Sequence, residues 1–427
     1  MSSNRAHDEA IGLRIKEALG RRSQAWLAGE LELDPSTINR WIKGAPISYG
    51  NLLAIARVLS CPVEQLMGGH DTPFRFGVDD GNPKPVRIGK QVLRNIYLME
   101  GNGVDVLDLA VNYSHTPIAR APQIVRVYES IAREAKENSE RDGHAYFNGP
   151  NARLRRITQA NTRQLAAGPE QKGIVLEIGP VSWEEYTVLN EFLDKVVFDK
   201  SEGDTIRKRF ALKDFLYENS TDLRWCSLSN ILSLAMIPIT SDGYAIIQVR
   251  TRHGVSADAG RRTSGVAENI HRYLDDANSD DLMTRLHPLT LPEKLEVDLG
   301  VDATYTPVGV PSPFLTAERG VIEELSPGLC HSWRDKGAIK FLSVVFDLDK
   351  FHPMLTGVIE LGLSRVEAAE IIEAEPGRDH SEYRKLEYIP LDAKRPEFMR
   401  SVSEEHLWVS GGLAALAFAC QYWDHKD

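Results

Sequence analysis

Two stretches of the 427-residue chain carry side chains whose types and spacing suit chemistry on a ligand. In Ser23 to Gly44, SQAWLAGELELDPSTINRWIKG, the Asp34-Pro35 pair joins an N-capping acceptor to a residue favoured at the first helical position, so a helix is predicted to begin there. At about 100° per residue, Ser36, Asn39, Arg40 and Lys43 gather on one face and Ile38, Trp41 and Ile42 on the opposite one. A polar, basic surface backed by an apolar one suits a helix laid in a DNA groove. The plainer reading is a small helical bundle, on which exposed Ser, Asn and Arg are ordinary.

The second stretch is Pro311 to Gly328, PSPFLTAERGVIEELSPG, patterned as one short amphipathic helix. Phe314, Leu315, Val321, Ile322 and Leu325 form its apolar arc, and Arg319, Glu323 and Glu324 take the polar side. Two carboxylates so placed suit a hard cation such as Mg²⁺, which can position a diphosphate. Paired glutamates more often form a solvated helix face. Arg250, Arg252, Arg261 and Arg262 stand among glycines in RTRHGVSADAGRRTSG, residues 250 to 265, where guanidinium forks could receive phosphates. An exposed basic loop fits that segment equally well. Arg153 either lines a pocket or forms a structural ion pair, the second being the safer expectation.

Elements must hold these groups in place. Gln24 should open a helix carrying Leu27, Ala28 and Leu31 at helical spacing, with Leu33 packing the turn that follows. With Ile11 to Leu19 before it and NLLAIARVLSCPVEQLM after it, the pair resembles the helix-turn-helix of the Cro and phage-repressor type, XRE-like, over about residues 9 to 68. Gln24, Leu27-Ala28, Ser36-Thr37-Ile38, Arg40-Trp41 and Gly44 carry the match, and Glu32 stands where that family usually has glycine. The resemblance implies a double-stranded DNA partner. Gln24 and Lys43 would meet the backbone, and Ser36, Thr37, Asn39 and Arg40 would face the major groove.

The helix around Arg319 resembles the catalytic helix of the Nudix superfamily, whose box ends in Arg-Glu, an apolar residue, any residue, then Glu-Glu. Arg319, Glu323 and Glu324 match, while Gly320 replaces the first glutamate and the upstream glycine and glutamate have no counterpart. Glu318 lies about 200° around the helix from Gly320, too far to substitute for that carboxylate. Looser likeness to the UDP-sugar hydrolase branch runs through AYFNGPNARL at residues 145 to 154, the strand at Tyr244 to Thr251, and HLWVSGGLAALAFA near the C-terminus. It implies a nucleotide or nucleotide-sugar ligand held near Arg153, Arg250, Arg252 and Arg319, with Mg²⁺ on Glu323 and Glu324.

Bulk properties frame these expectations. The net charge is −11, yet residues 1 to 70 carry eight Lys/Arg against seven Asp/Glu, so the acidity belongs to the rest of the chain. So modest a basic excess predicts weak, salt-sensitive DNA binding by one copy. A two-fold homodimer presenting two helices about 34 Å apart would compensate. The four scattered cysteines, without a CxxC pair, argue against a disulfide framework or a zinc ribbon. No signal region or spanning segment stands out, so a cytoplasmic, non-membrane protein is expected.

The expected fold is multidomain: an all-α helix-turn-helix domain over residues 1–68, a Gly/Pro/Asp-rich linker over 69–90, and a Nudix-like α+β domain over 91–427. Three functions suit it. The first is a transcriptional regulator sensing a nucleotide-type ligand, and the second a Mg²⁺-dependent hydrolase of nucleoside-diphosphate sugars. The third is a defence or toxin-antitoxin regulator using its large domain for protein interaction.

Overall fold

The chain divides into two compact units, one of Met1–Arg75 with Leu212–Asn219 and one of Phe76–Ala211 with Ser220–Asp427. The computed structural model describes most residues from Ile11 to Lys426; 1–10, 60–84, 142–147, 160–172, 193–221, 252–259, 277–305, 333–337 and shorter stretches lie outside the described set.

In the first unit, helical residues 11–16 and 18–19 precede α1 (Gln24–Glu30) and α2 (Pro35–Ile42), and residues 51, 54–55 and 58–59 are helical again. Ser23 caps α1 by accepting from the Trp26 amide, and Asp34 caps α2 by accepting from the Ser36 amide ahead of Pro35. Past Lys43 the backbone turns left-handed at Gly44, φ 87°. There the Gly44 amide bonds Trp41 O and the Ala45 amide bonds Arg40 O, the paired closure that satisfies the last carbonyls of a helix. Ile11, Ile15, Leu19, Leu27, Ala28, Ile38, Trp41, Ile55 and Leu59 form one apolar core. Leu33 is exposed rather than packed into the turn: its amide bonds Ala28 O and its side chain points outward. Glu32 lies outside the described residues.

The second unit mixes helix and sheet. Its larger sheet takes in β1 (Pro85–Ile88), β2 (Gln91–Gly101), β6 (Ser233–Ile239), β7 (Tyr244–Arg250), β8 (Arg262–Ser264), β9 (Ile339–Asp347), β10 (His352–Glu360) and β11 (Tyr383–Pro390). The order is β1-β2-β9-β10-β6-β7-β11, with β8 on β7, and among these described strands β10 and β6 pair in parallel while the other pairs are antiparallel. A smaller sheet, in order β3-β5-β4, holds β3 (Asp108–Tyr113), β4 (Pro150–Gln159) and β5 (Gly173–Ser182). Strand β1 falls inside the stretch read as a linker. Its proline stands at the first position of an edge strand, where no ladder donor is required, so a Pro-rich segment could still pair.

Among the described residues the unit's α-helices are α3 (Pro122–Arg141), α4 (Trp183–Tyr186), α5 (Pro313–Gly320), α6 (Arg365–Ala374), α7 (Pro396–Ser403) and α8 (Ser410–Asp424). Buried along nearly its whole length, α8 packs with Ala235, Ile237, Leu342, Met354 and Val358 of the large sheet. Next to Leu342, Phe341 meets Phe314 of α5 edge-on, ring centroids 5.0 Å apart. No described helix is long and apolar enough to cross a membrane. None of Cys226, Cys330 and Cys420 is disulfide-bonded.

Candidate functional site

Helix α5 positions the chemistry of the second unit, and its geometry departs from 100° per residue. Beyond Gly320 the backbone widens into a π-helix over Val321–Leu325, closed by the i→i+5 bond from the Ser326 amide to Val321 O. Glu323 and Glu324, placed together on the polar side by the α-helical reckoning, are held by different partners. The polar side is also enclosed, with Arg319 5 %, Glu323 3 % and Glu324 7 % exposed. Two separate networks absorb the two carboxylates.

Arg319 organises the first network. Its Nε donates to Asp275 Oδ1 at 2.9 Å and its Nη2 to Asp275 Oδ2 at 3.3 Å and Asn269 O at 2.9 Å. Nη1 donates to Glu268 Oε2 at 2.8 Å and Glu323 Oε2 at 2.9 Å. These bonds use all five N–H donors of a guanidinium, which leaves none for a ligand. Burial alone would lower the Arg319 pKa, but Asp275, Glu268 and Glu323 hold it charged, above its ordinary value. Asp275, fully enclosed, is itself anchored by Thr316 Oγ1 and the His271 amide, each at 2.7 Å. Arg319, expected at the ligand, donates here to Asp275, Glu268, Glu323 and Asn269.

A second arginine comes from the loop after α6. The Gly377 amide bonds Leu325 O and the Asp379 amide bonds Glu323 O, so this loop docks on carbonyls of the π-helix. It brings Arg378 Nη2 to 3.1 Å from Glu323 Oε1 and places Asp379 beside it. One oxygen each of Glu268, Glu323 and Asp379 lie within 4.8 Å of one another, a grouping able to hold a metal ion. Two arginines face four carboxylates in this cluster, Asp275 included. Burial pushes the Glu323 carboxyl up to about 7, with Glu268 and Asp379 adding repulsion against the pull of Arg319 and Arg378. Such an excess of buried negative charge favours a proton or a hard cation, so the oxygen donors fit Mg²⁺.

Glu324 stands apart. It accepts from Gln248 Nε2 at 2.9 Å and from the Ala267 amide at 3.1 Å, which makes it a link between the π-helix and β7. Glu268 and Asp379 were not singled out in the sequence, since residues 55 and 56 positions from Glu323 show no local spacing. Gly320 was the single visible hint: a side chain there would strike Val266 and come within 2.9 Å of Glu268 Cγ.

Of the other expected ligand arginines, Arg153 and Arg250 lie on strands of different sheets. Arg250 ends β7, half-buried, with Nε enclosed and lacking a hydrogen-bond partner, and Arg252 lies outside the described residues. The supposed basic loop is in part a strand: Arg262 opens β8 and pairs with Glu387 at 2.7 Å and Glu404 at 2.8 Å. Arg153, on β4, donates from Nη2 to Leu223 O and Cys226 O and makes no ion pair with a described carboxylate.

In the first unit, Ser36, Arg40 and Lys43 are exposed and Gln24, Thr37 and Asn39 half-buried, while Ile38 and Trp41 face the core. All six side chains expected at DNA thus retain some access to solvent. No protein-family model matches the chain, and no curated protein matches it.

Proposed function

We propose that this protein is a DNA-binding regulator whose larger unit senses a nucleotide-type ligand. The observation that carries the first half is the division of α2, with Ile38 0 % exposed on one side and Ser36, Arg40 and Lys43 exposed on the other. A helix held by its apolar side and capped at both ends presents its polar side as a rigid surface, which groove reading requires. The resemblance to XRE-type helix-turn-helix domains supports the same assignment, with Gln24 and Lys43 toward phosphates and Thr37 and Asn39 among the groove-facing residues. A homodimer is the natural assembly, because the small basic excess of residues 1–70 supplies few phosphate contacts per copy.

For the larger unit, sensing is favoured over turnover because its charged groups are committed to one another. Arg319 has no donor to spare, Glu324 is held by Gln248 and Ala267, and the Nudix-like box lacks a carboxylate at Gly320. To change DNA affinity tenfold the ligand must prefer one state of the protein by about 1.4 kcal/mol.

A Mg²⁺-dependent hydrolase of nucleoside-diphosphate sugars is the second reading, supported by the Glu268, Glu323 and Asp379 grouping. Those three carboxylates would hold the ion, which would supply Lewis-acid polarisation of a phosphoryl oxygen.

The deciding experiment pairs selection of bound duplexes from a random DNA pool with calorimetric titration of the full chain. The titrants are nucleotides and nucleotide sugars with Mg²⁺, and each mixture is analysed for products. Enriched duplexes and heat without products support the regulator. Nucleoside monophosphate release favours the hydrolase, and no enriched duplex overturns the DNA-binding half.

A further inference from the structure

Thr240 to Gly243 turn the chain from β6 into β7, and Gly243 makes the turn with φ at 78°, where a side chain is disfavoured. The Gly243 amide donates to Thr240 O at 3.0 Å, and its carbonyl accepts from the Leu391 amide at 2.8 Å, which ties the residues after β11 to the turn. A Cβ on Gly243 would lie 3.0 Å from Trp423 Cζ2, so the glycine also lets the end of α8 close on the turn. At the start of α6, the Arg365 amide donates to Asp242 Oδ1 at 2.8 Å.

Between the turn, the residues after β11 and the end of α8 lies a cavity of about 280 Å³. Asp242, Asp392 and Asp424 line it, one from each of these segments, together with Tyr244 and Trp423, and no lysine or arginine is among its lining residues. Burial raises the Asp242 carboxyl, but hydrogen bonds from Thr240 and the Arg365 amide outweigh that and hold its pKa below the ordinary value, so Asp242 carries its charge. Each aromatic ring already holds a cation over it, Arg365 Cζ at 4.5 Å from the Tyr244 centroid and Lys426 Nζ at 5.1 Å from that of Trp423. Lys426 is also paired with Glu360 Oε1 at 2.7 Å, which lies outside the cavity lining.

Carboxylates and aromatic rings around one cavity favour a positively charged occupant. The three aspartates do not crowd together as metal ligands do: among the described residues, the carboxylates close enough to share an ion are Glu268, Glu323 and Asp379. A bare divalent ion, coordinated at about 2.0–2.6 Å, would not reach all three, whereas a cation on a carbon frame can span them. The volume suits such a molecule, since an apolar cavity of about 150 Å³ already takes benzene. We propose that this cavity binds a small organic cation, a short-chain alkylammonium, whose N–H groups donate to the aspartates while its carbon chain lies against Trp423 and Leu391. The site is distinct from the carboxylate cluster on the π-helix and does not rest on nucleotide sensing.

The test is calorimetric titration of the full chain with butylammonium chloride and with tetramethylammonium chloride, against sodium chloride at matched ionic strength. Saturable heat with butylammonium is the expected result, and weaker binding of tetramethylammonium, which has no N–H to donate, is expected beside it. Asp242→Asn keeps an oxygen for the Arg365 amide, and Asp424→Asn changes an exposed residue at the end of α8. The double variant should bind butylammonium about tenfold more weakly, and Trp423→Leu several-fold more weakly. A capped Gly-Gly-Lys-Gly-Gly peptide separates two sources of the same ammonium: tighter binding than butylammonium identifies a lysine side chain of a partner, and weaker binding a free amine. If Trp423→Leu does not fold, the asparagine variants decide by themselves. The proposal is overturned if neither ammonium gives heat beyond sodium chloride, or if the double variant binds butylammonium as wild type does.

Discussion

Glu268 occupies the space that a side chain at Gly320 would need: a Cβ on residue 320 would lie 2.9 Å from Glu268 Cγ and would strike Val266. The carboxylate absent from the helix at that position is thus present in space, delivered by the segment following β8. Gly320→Ala should cost about 1–3 kcal/mol by overpacking, because Val266 belongs to the core and cannot yield freely. Equilibrium urea unfolding measures it, and an unchanged midpoint would show that Glu268 and Val266 move aside at no cost.

Asp275 and Glu404 each pair with an arginine, but only Asp275 is enclosed. Asp275→Ala leaves Arg319 buried with its bidentate partner gone and should destabilise by about 3–5 kcal/mol. Glu404→Ala breaks a pair open to solvent and should cost about 0–1 kcal/mol. Comparable losses in the two variants would contradict the central place given to Arg319.

His352 opens β10 with its ring 5.5 Å from Tyr186 and its Nε2 enclosed without a hydrogen-bond partner. Burial, with a smaller push from Lys350, lowers its pKa from 6.5 to about 3. Between those values the unfolded chain takes up a proton that the folded chain refuses. Stability is therefore lost as pH falls through that window, by about 1.4 kcal/mol per unit for this group alone. His352→Phe keeps an aromatic ring against Tyr186 and should flatten the acid limb of a stability–pH curve measured from pH 7 to pH 4. Parallel curves for variant and wild type would remove His352 as the cause.

How legible these features were depended on the range of the interactions behind them. Asp34, Pro35 and Gly44 specify the ends of α2 through bonds spanning a few residues, so spacing alone placed that helix. Strands such as β7 and β9 showed in their apolar runs. The docking of Gly377 and Asp379 on carbonyls of the widened turn was hidden, because the partners stand more than 50 residues apart in sequence. For the same reason Glu323 was found without its neighbours Glu268 and Asp379.

Mg²⁺ should raise the melting midpoint of the full chain through the carboxylate cluster, and the paired glutamates separate under this test. Asp379→Asn lowers the charge excess and should weaken the Mg²⁺ response at least tenfold. Glu324→Gln should lower stability, because the new amide faces the donors of Gln248 and Ala267, yet leave the Mg²⁺ response intact. Loss of the response in Glu324→Gln alone would return the metal to the pair read from the sequence.

On α2 the apolar and polar sides should fail in different ways. Ile38→Ala removes a fully buried side chain from the core of the first unit and should cost about 2–5 kcal/mol, seen as early loss of helical signal on heating. Arg40→Ala removes an exposed side chain, should shift stability by no more than about 0.5 kcal/mol, and should weaken binding to a selected duplex by about 1–3 kcal/mol. Lys43→Ala should weaken binding to all duplexes alike and reduce the slope of log affinity against log salt by about one. Fluorescence anisotropy across a salt series distinguishes the last two. Were Arg40→Ala and Lys43→Ala both to bind as wild type does, the exposed side of α2 would not be the surface that meets DNA.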